Sequence, residues 1–244
     1  MKNENLEQTL VLIKPDALKN SLTGYVLSQL SEFHTGLRFA GAKIVQVSTL
    51  LAEEHYEEHK GKVFFPSLLE YIMGVIHYPD DPGKRKVNAF VFQGPDAVKL
   101  VRSICGPTNP HEARDKQPGC IRALGTLVTL KDEAGNIIGN RMDNLIHASA
   151  NEADAEREIK LWFKPCDIPA SMRAYETVIS EEHFYYKDGQ LSHECVPGSI
   201  CLFAPSDVVW KSDLEALRAH VKGVANPTSV KAVAAKYVIN NDIV

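Results

Sequence analysis

The sequence is poor in the features that mark secreted, membrane or nucleic-acid-binding proteins. Its five cysteines, at positions 105, 120, 166, 195 and 201, are odd in number and show no C-x-x-C spacing. That argues against a disulfide framework and a thiolate zinc site, and for reduced thiols. No run of about 18 apolar residues occurs, and the opening MKNENLEQTL has neither the basic stretch nor the apolar core of a signal peptide. The expectation is a cytoplasmic, non-membrane protein. There is no excess of basic residues either: the net charge is -4, against the basic stripe that phosphate-backbone binders carry, so nucleic acid is not an expected partner. Finally, neither G-x-x-x-x-G-K-[ST] nor G-x-G-x-x-G is present. Any nucleotide phosphates would be held by side chains instead of a glycine loop.

What is present is the composition of a globular protein of one large or two small domains, with 244 residues, 44% of them hydrophobic and 24% charged. An apolar run over 9–13 closed by Lys14-Pro15-Asp16 predicts a buried strand leading into a turn. Helical spacing follows over 24–33, a β-branched strand over 39–50, and two short helices over 52–60 and 66–73. A polar, turn-rich loop over 78–86 delivers a strand over 87–92 and then a helix over 96–104. Residues 105–122 read as irregular, and 127–130 with 136–138 as a hairpin around Asp132-Glu-Ala-Gly135. A short strand over 144–148 ends on a helix over 151–163. Beyond 165 the pattern changes. Lys187-Asp188-Gly189 signals a hairpin within 184–191, and 207–220 and 229–238 read as helices. The alternation through residue 165 predicts an α+β, split βαβ arrangement, one sheet backed by helices on one side. The remaining residues, 166–244, read as an appended C-terminal segment.

One histidine stands out. His147 lies in the apolar strand just before the helix on which Ala155, Ile159, Trp162 and Phe163 define the buried stripe, with Glu158 at the border of that stripe. A carboxylate facing a core must find a donor or lose several kcal/mol, roughly, to desolvation. The imidazole of His147 is a candidate donor, and the pairing would fix its tautomer and leave the other ring nitrogen as a nucleophile or base. A lone histidine in an apolar strand is more often an ordinary core residue. The other polar groups change the balance. Lys14 follows a buried strand directly, Arg102 sits on the helix of Val98, Val101 and Cys105, and Thr108 and Arg122 bracket the irregular region. Three cations, a hydroxyl and a nucleophile are the inventory that phosphoryl transfer requires. A competing motif, His55-Tyr-Glu-Glu58-His59, fits the H-x-x-E-H zinc-peptidase pattern but brings no third ligand with it.

Thr9-Leu-Val-Leu-Ile-Lys14-Pro15-Asp16, His55-Tyr56, Phe64-Phe65, Thr108-Asn-Pro110, Pro118-Gly-x-Ile-Arg122 and Asn144-Leu-Ile-His147-Ala-Ser149, followed by Glu158 and Leu161-Trp-Phe163, together resemble the nucleoside diphosphate kinases. The blocks occur in family order across residues 8 to about 165. The resemblance implies a ferredoxin-like split βαβ sandwich over 1–165, with 166–244 as an extension packing on that domain or on a neighbouring subunit. It implies a ping-pong enzyme in which His147 takes the γ-phosphoryl group of a nucleoside triphosphate and passes it to a diphosphate. Glu158 would orient His147, Tyr56 would lie close to it and Ser149 would support its loop. Lys14 and Asn144 would hold the ribose, Phe64 would stack on the base beside Leu68, and Arg102, Thr108 and Arg122 would bind phosphates. Mg²⁺ carried by the nucleotide phosphates, with no protein ligand set, and a homo-oligomer (hexamer or tetramer) are also implied. The sequence departs from the family at Lys62, where arginine is usual, at Ala150, where aspartate usually follows the His-Ala-Ser signature, and in insertions over 78–86, 111–117 and 125–141. The last two insertions adjoin the implied site. The alternative is an inactive nucleotide-binding or scaffolding protein on the same fold.

Overall fold

The computed structural model describes residues 7–238. The opening residues of the signal-peptide reading and the end of the tail lie outside the described residues.

Four strands make the central sheet: β1 (Glu7–Ile13), β2 (Arg38–Val45), β3 (Val87–Gly94) and, last in the chain, Ile146–Ala148. The spatial order is β2-β3-β1 and then the Ile146–Ala148 strand, with every neighbouring pair antiparallel. This is the ferredoxin-like order. The helices α1 (Pro15–Lys19), α2 (Thr23–Gln29) and α3 (Glu32–Thr35) connect β1 to β2, α4 (Thr49–His55) and α5 (Phe65–Ile72) connect β2 to β3, and α6 (Ala97–Cys105) follows β3. Next come α7 (Pro110–Lys116), the hairpin of β4 (Thr126–Lys131) and β5 (Ile137–Asp143), and the fourth sheet strand, numbered β6. The helix α8 (Glu152–Trp162) closes this part of the chain.

Helices cover both faces of the sheet, not one. Along β1, Val11 and Ile13 pack with Val26, Leu30 and Val101 on the face of α2 and α6, whereas Leu10 and Leu12 pack with Leu51, Ile72, Ile159 and Trp162 on the other. The uninterrupted apolar run of β1 is the physical sign of this, since a strand wetted on one face alternates apolar with polar residues. Every residue of the strand after Glu7 is buried.

Several expected boundaries move. The second strand stops at Val45 because Ser48 accepts a hydrogen bond from the Leu51 amide and caps α4, which therefore starts earlier than residue 52 and ends at His55, followed by a 3₁₀ turn over Glu57–His59. The stretch 105–122 is not irregular: Asn109 caps α7 by accepting from the His111 amide, with Pro110 at its first position, and a further 3₁₀ turn covers Ile121–Leu124. The strand expected over 144–148 is shortened at its start because Leu145 takes a left-handed conformation (φ 69°).

The segment beyond 165 contains β7 (Thr177–Ile179), β8 (Phe184–Lys187), β9 (Gln190–Ser192), β10 (Ile200–Phe203), β11 (Val208–Trp210), α9 (Lys211–Val221) and α10 (Val230–Ala235). The β8–β9 turn places Asp188 and Gly189 at φ 48° and 84°, the left-handed pair expected of an Asp-Gly hairpin. The helix read over 207–220 begins instead at Lys211, because Val208–Trp210 pairs antiparallel with β7. This segment buries its own cluster around Phe184, Phe203 and Leu217, but Trp210 and Ala235 join the core of the main sheet. The Trp210 indole is fully buried and donates to the Phe163 carbonyl at 2.8 Å. Lys236 and Asp213 form an ion pair at 3.0 Å with both side chains out of water, tying α10 to α9.

A Trp210→Ala change removes the largest side chain that the segment places in the main core and leaves a cavity, so it lowers the urea unfolding free energy by about 3–5 kcal/mol. A loss below about 1 kcal/mol would mean that the segment does not share the core.

Candidate active site

The site begins with the register of β6. His147 is paired with Leu12, so its ring projects to the face on which Leu12 meets α4 and α8, while Ile146 and Ala148 turn to the opposite core. On that face α8 is held by its cap: the Asn151 side chain accepts from the Asp154 amide at 2.8 Å. Two turns on, Glu158 points into the protein and is 4% exposed. His147 Nε2 lies 2.9 Å from Glu158 Oε2, and the same oxygen accepts from the Ser149 hydroxyl at 2.7 Å. Ser149 Oγ in turn accepts from the Leu10 amide at 3.1 Å, which fastens the arrangement to β1. Burial alone would push the Glu158 carboxyl up, but the charge and hydrogen bond of His147, then His55 and Ser149, bring it down to about 2. The ionised carboxylate fixes the proton of His147 on Nε2, and Nδ1 has no hydrogen-bond partner among the described residues.

His147 opens on a cavity of about 450 Å³. Of the residues carried over from the sequence, Lys14, Tyr56, Phe64, Leu68, Arg102, Thr108, Arg122, Asn144, His147 and Glu158 line it, and Ser149 lies buried behind the histidine. Ala150, one of the two departures, lines it as well, and Lys62 lies over the Phe64 ring at 5.8 Å.

The floor is cationic for structural reasons. Arg122 is 4% exposed and donates to the carbonyls of Gly106 (2.9 Å) and Ile146 (3.3 and 3.4 Å), with no carboxylate partner among the described residues. A buried cation satisfied only by carbonyl dipoles keeps its charge available to an anion. Burial also lowers the amine of Lys14 to about 8, against the opposing pull of Asp16. Lys14 donates to Asn144 Oδ1, and Asn144 Nδ2 donates to the Thr108 carbonyl at 2.8 Å. These residues meet because of the Leu145 turn, whose amide donates to Asp16 Oδ2 at 2.9 Å while its carbonyl accepts from the Lys14 amide at 2.9 Å. Gly125 packs beneath it. A Cβ there would stand 2.6 Å from the Asp143 carbonyl and 3.0 Å from Asn144 Cα, so only glycine allows the approach.

The zinc-peptidase pattern does not survive folding. The helix ends at His55, so His55 and His59 do not share a helical face. His59 Nδ1 is 3.0 Å from Lys62 Nζ, while His55 is buried at 4.5 Å from the His147 ring, centroid to centroid. Trp162 Nε1 donates to His55 Nδ1 at 3.2 Å, and burial, followed by the charge of His147, holds the His55 pKa well below its ordinary value. The ring is therefore neutral with its proton on Nε2, a buried donor without a partner among the described residues. His55 is a member of the site that sequence reasoning set aside, although its neighbour Tyr56 was the signal for it. Burial raises the Tyr56 phenol, so it stays protonated as a donor. Arg157, Asn140, Arg141 and Met142 also line the cavity without having been singled out.

An α+β sheet carrying a carboxylate-held histidine above a cationic, aromatic-walled cavity defines a phosphotransferase that acts on nucleotides. Comparison with known proteins agrees. The family model of the nucleoside diphosphate kinases matches residues 7–168. A nucleoside diphosphate kinase of Pyrococcus furiosus is 38% identical over 185 residues, 76% of this chain and 96% of the relative. Among solved structures, the Aquifex aeolicus nucleoside diphosphate kinase aligns with a TM-score of 0.53 at 30% identity, over 67% of this chain and 99% of that one. A halophilic nucleoside diphosphate kinase from Halobacterium salinarum in complex with CDP aligns with a TM-score of 0.51 at 33% identity, over 67% and 91%. The chain belongs to the nucleoside diphosphate kinase family, and it is an enzyme of nucleotide phosphoryl transfer, not an inactive scaffold on the same fold.

The depressed Lys14 pKa has a stability consequence. The folded protein binds this proton more weakly than the unfolded chain, whose value is the usual 10.5, so stability is gained as pH rises from about 8 toward 10.5. The urea unfolding free energy of the unaltered chain, taken relative to Lys14→Met, rises through that window. A difference that stays flat with pH would contradict burial of the amine.

Proposed function

We propose that the chain transfers the γ-phosphoryl group of a nucleoside triphosphate to a nucleoside diphosphate by a ping-pong route through His147. The observation that supports this above others is the shared Glu158 oxygen, 2.9 Å from Nε2 and 2.7 Å from the Ser149 hydroxyl, which leaves Nδ1 as the free nitrogen at the cavity wall.

In the first half-reaction the Nδ1 lone pair attacks the γ-phosphorus, the bond to the β–γ bridging oxygen breaks, and the nucleoside diphosphate leaves with that electron pair. The positive charge that develops on the ring is met by the Glu158 carboxylate at Nε2, where the proton stays. In the second half-reaction a terminal phosphate oxygen of the acceptor attacks the phosphorus and the P–N bond breaks, restoring neutral His147. Arg102, Arg122 and Lys14 offset the charge of the phosphates, with Thr108 as a hydroxyl donor. Lys14 and Asn144 hold the ribose. Phe64 stacks on the base, with Leu68 beside it, and stacking is worth about 1–3 kcal/mol for any base. Tyr56 borders the reacting ring.

Mg²⁺ fits this cavity as a companion of the phosphates. His55, His147 and Glu158 bring ligand atoms within 4.8 Å of one another, but two imidazoles and one carboxylate do not suit a cation that takes oxygen ligands and retains water. A floor of Lys14, Arg102 and Arg122 likewise favours a metal already carried by anions. Asp154 and Glu58, on the cavity wall, would be carboxylates available to accept from its water ligands. When bound, the ion supplies further neutralisation of the phosphate charge.

In this reading residues 1–165 carry the reaction and 166–244 form an extension that braces them, supported by the burial of Trp210 in the main core. The partners are nucleoside di- and triphosphates, with nucleic acid disfavoured by the net charge of -4. A homo-oligomer, tetramer or hexamer, is supported by the sheet-edge strand β2, which leaves Ile44 69% exposed. The cytoplasm, where thiols stay reduced, suits the five free cysteines. No helix among the described residues is long and apolar enough to cross a membrane.

The test is incubation with γ-labelled ATP and Mg²⁺, which yields an acid-labile, base-stable phosphoprotein that His147→Ala abolishes. Label persisting in that variant would refute the nucleophile, and no label at all would refute the mechanism. Arg122→Ala lowers turnover by about 10²–10³, the scale of deleting one transition-state donor. A change under about threefold would place the guanidinium outside the reaction.

A further inference from the structure

A second cavity, of about 360 Å³, lies outside the nucleotide site, where the C-terminal segment meets α4 and α8. Its walls come from three parts of the chain. Glu54 stands near the end of α4 with Glu57 just beyond it, Arg157 and Lys160 stand on α8, and Ser212 lies near the start of α9. Apolar residues such as Leu161 and Pro227 complete the lining. An apolar space of more than about 300 Å³ with a few placed polar groups is the usual form of a small-molecule site. Arg157 is the one residue that lines this cavity and the nucleotide cavity alike.

The charges around the space are unevenly matched. Lys160 is paired with Glu156, and Asp213, beside Ser212, is paired with Lys236. Arg157 donates from Nη1 to the Glu54 carbonyl at 3.4 Å and brings Nη2 to 3.6 Å from Glu158 Oε1, so its charge is engaged by the carboxylate that holds His147. Glu54 and Glu57 have no ion pair among the described residues. The half-buried carboxylate of Glu54 accepts a single hydrogen bond there, from the Ser229 hydroxyl at 3.2 Å. Burial holds this carboxyl above its ordinary value, Glu57 adds to the rise, and Ser229 and the charge of Lys231 offset it only in part. The Ser212 hydroxyl makes a second, independent demand: its Oγ is out of water and has no hydrogen-bond partner among the described residues. Polar groups placed in a recess without partners are complementary to a cation that carries its own donors.

A bare divalent ion does not fit that description. Such an ion takes about six or more oxygens converging at about 2.0–2.6 Å. The described residues bring three ligand groups together only at His55, His147 and Glu158, in the other cavity. The apolar lining asks instead for a cation on a hydrocarbon stem.

We propose that this cavity binds an aliphatic amine of the diamine or polyamine class, with its ammonium groups received by Glu54, Glu57 and the Ser212 hydroxyl and its methylenes laid along the apolar lining. The site is separate from the phosphoryl-transfer machinery and stands whether or not the route through His147 is right. Because α4, α8 and the C-terminal segment wall it together, an occupant fastens that segment to the catalytic part and stabilises the folded chain by mass action.

The test is isothermal titration calorimetry of the full chain with putrescine, spermidine, butyrate and MgCl₂ in turn. Putrescine and spermidine bind once per chain, with a dissociation constant of about 1 mM or tighter, whereas butyrate, which has the stem but the opposite charge, does not bind. Glu54→Gln keeps an acceptor for Ser229 and weakens the amines about 10- to 100-fold, the scale of one charge-assisted hydrogen bond. Ala153→Phe, at an exposed position on the cavity wall, fills the space without touching a charge and abolishes binding, which separates the cavity from general attraction to an acidic protein. Glu133→Gln, on the distant β4–β5 turn, leaves the affinity unchanged within about twofold. No saturable heat with either amine up to about 10 mM would overturn the proposal. So would unaltered affinity in Glu54→Gln or Ala153→Phe, equal loss in Glu133→Gln, or displacement of putrescine by an equal concentration of Mg²⁺.

Discussion

A carboxylate taken out of water has to be given donors, and much of this active site can be understood as the answer to that demand at Glu158. Ser149 and His147 supply the hydrogen bonds, with the Arg157 guanidinium 3.6 Å away as a further charge. Because Ser149 is itself bonded to the β1 backbone, three elements are locked together: the strand that carries the histidine, the helix that carries the carboxylate and the central strand between the two cores. The arrangement stabilises the fold only while every partner is present. It also decides the chemistry, since fixing a proton on one nitrogen of His147 is what leaves the other free to form a bond.

The second constraint is the turn at Leu145. A buried leucine in the left-handed region is strained, and such backbones persist where surrounding contacts over-determine them. Here the contacts are the carboxylate of Asp16 and the amide of Lys14. The two motifs lie far apart in sequence, yet the turn brings Lys14 and Asn144 into hydrogen-bonding contact at the cavity. Gly125 beneath it shows how little room the turn has. Strain in the backbone and convergence of polar side chains are two aspects of the same local packing.

The C-terminal segment follows a different logic. It has a small core of its own, around Phe184, Phe203 and Leu217, but it is anchored by lending Trp210 and Ala235 to the core beneath the main sheet. The helix α10 contacts both α4 and α8, the elements that carry His55 and Glu158. The segment therefore bears on the rear of the helices whose front faces build the site, which connects its stability to their placement.

How much of this could be read beforehand varied with the range of the interaction responsible. Periodicity located β1, β3, α5, α6 and α8 to within a residue or two, and the stripe on α8 identified Glu158 as a carboxylate in need of a partner before any geometry was known. The motif blocks carried Lys14, Arg122, Asn144 and His147 to the cavity because their residue types and order suffice. Caps and pairings were harder: the helix after Asn109 and the strand before Lys211 depend on one side-chain bond and on a distant partner strand, and both were misread. The sequence neighbours of His55 fit a competing metal pattern that lacks a third ligand, whereas its neighbours in space, Trp162 and His147, are brought in by packing. Residue chemistry and local repeat patterns belong to the chain itself, so the sequence alone determined the family and the sheet-and-helix alternation. Which ring nitrogen is free and which cation of the cavity is met by carbonyls alone are set by contacts between separate strands, helices and turns, and only the tertiary structure decided them.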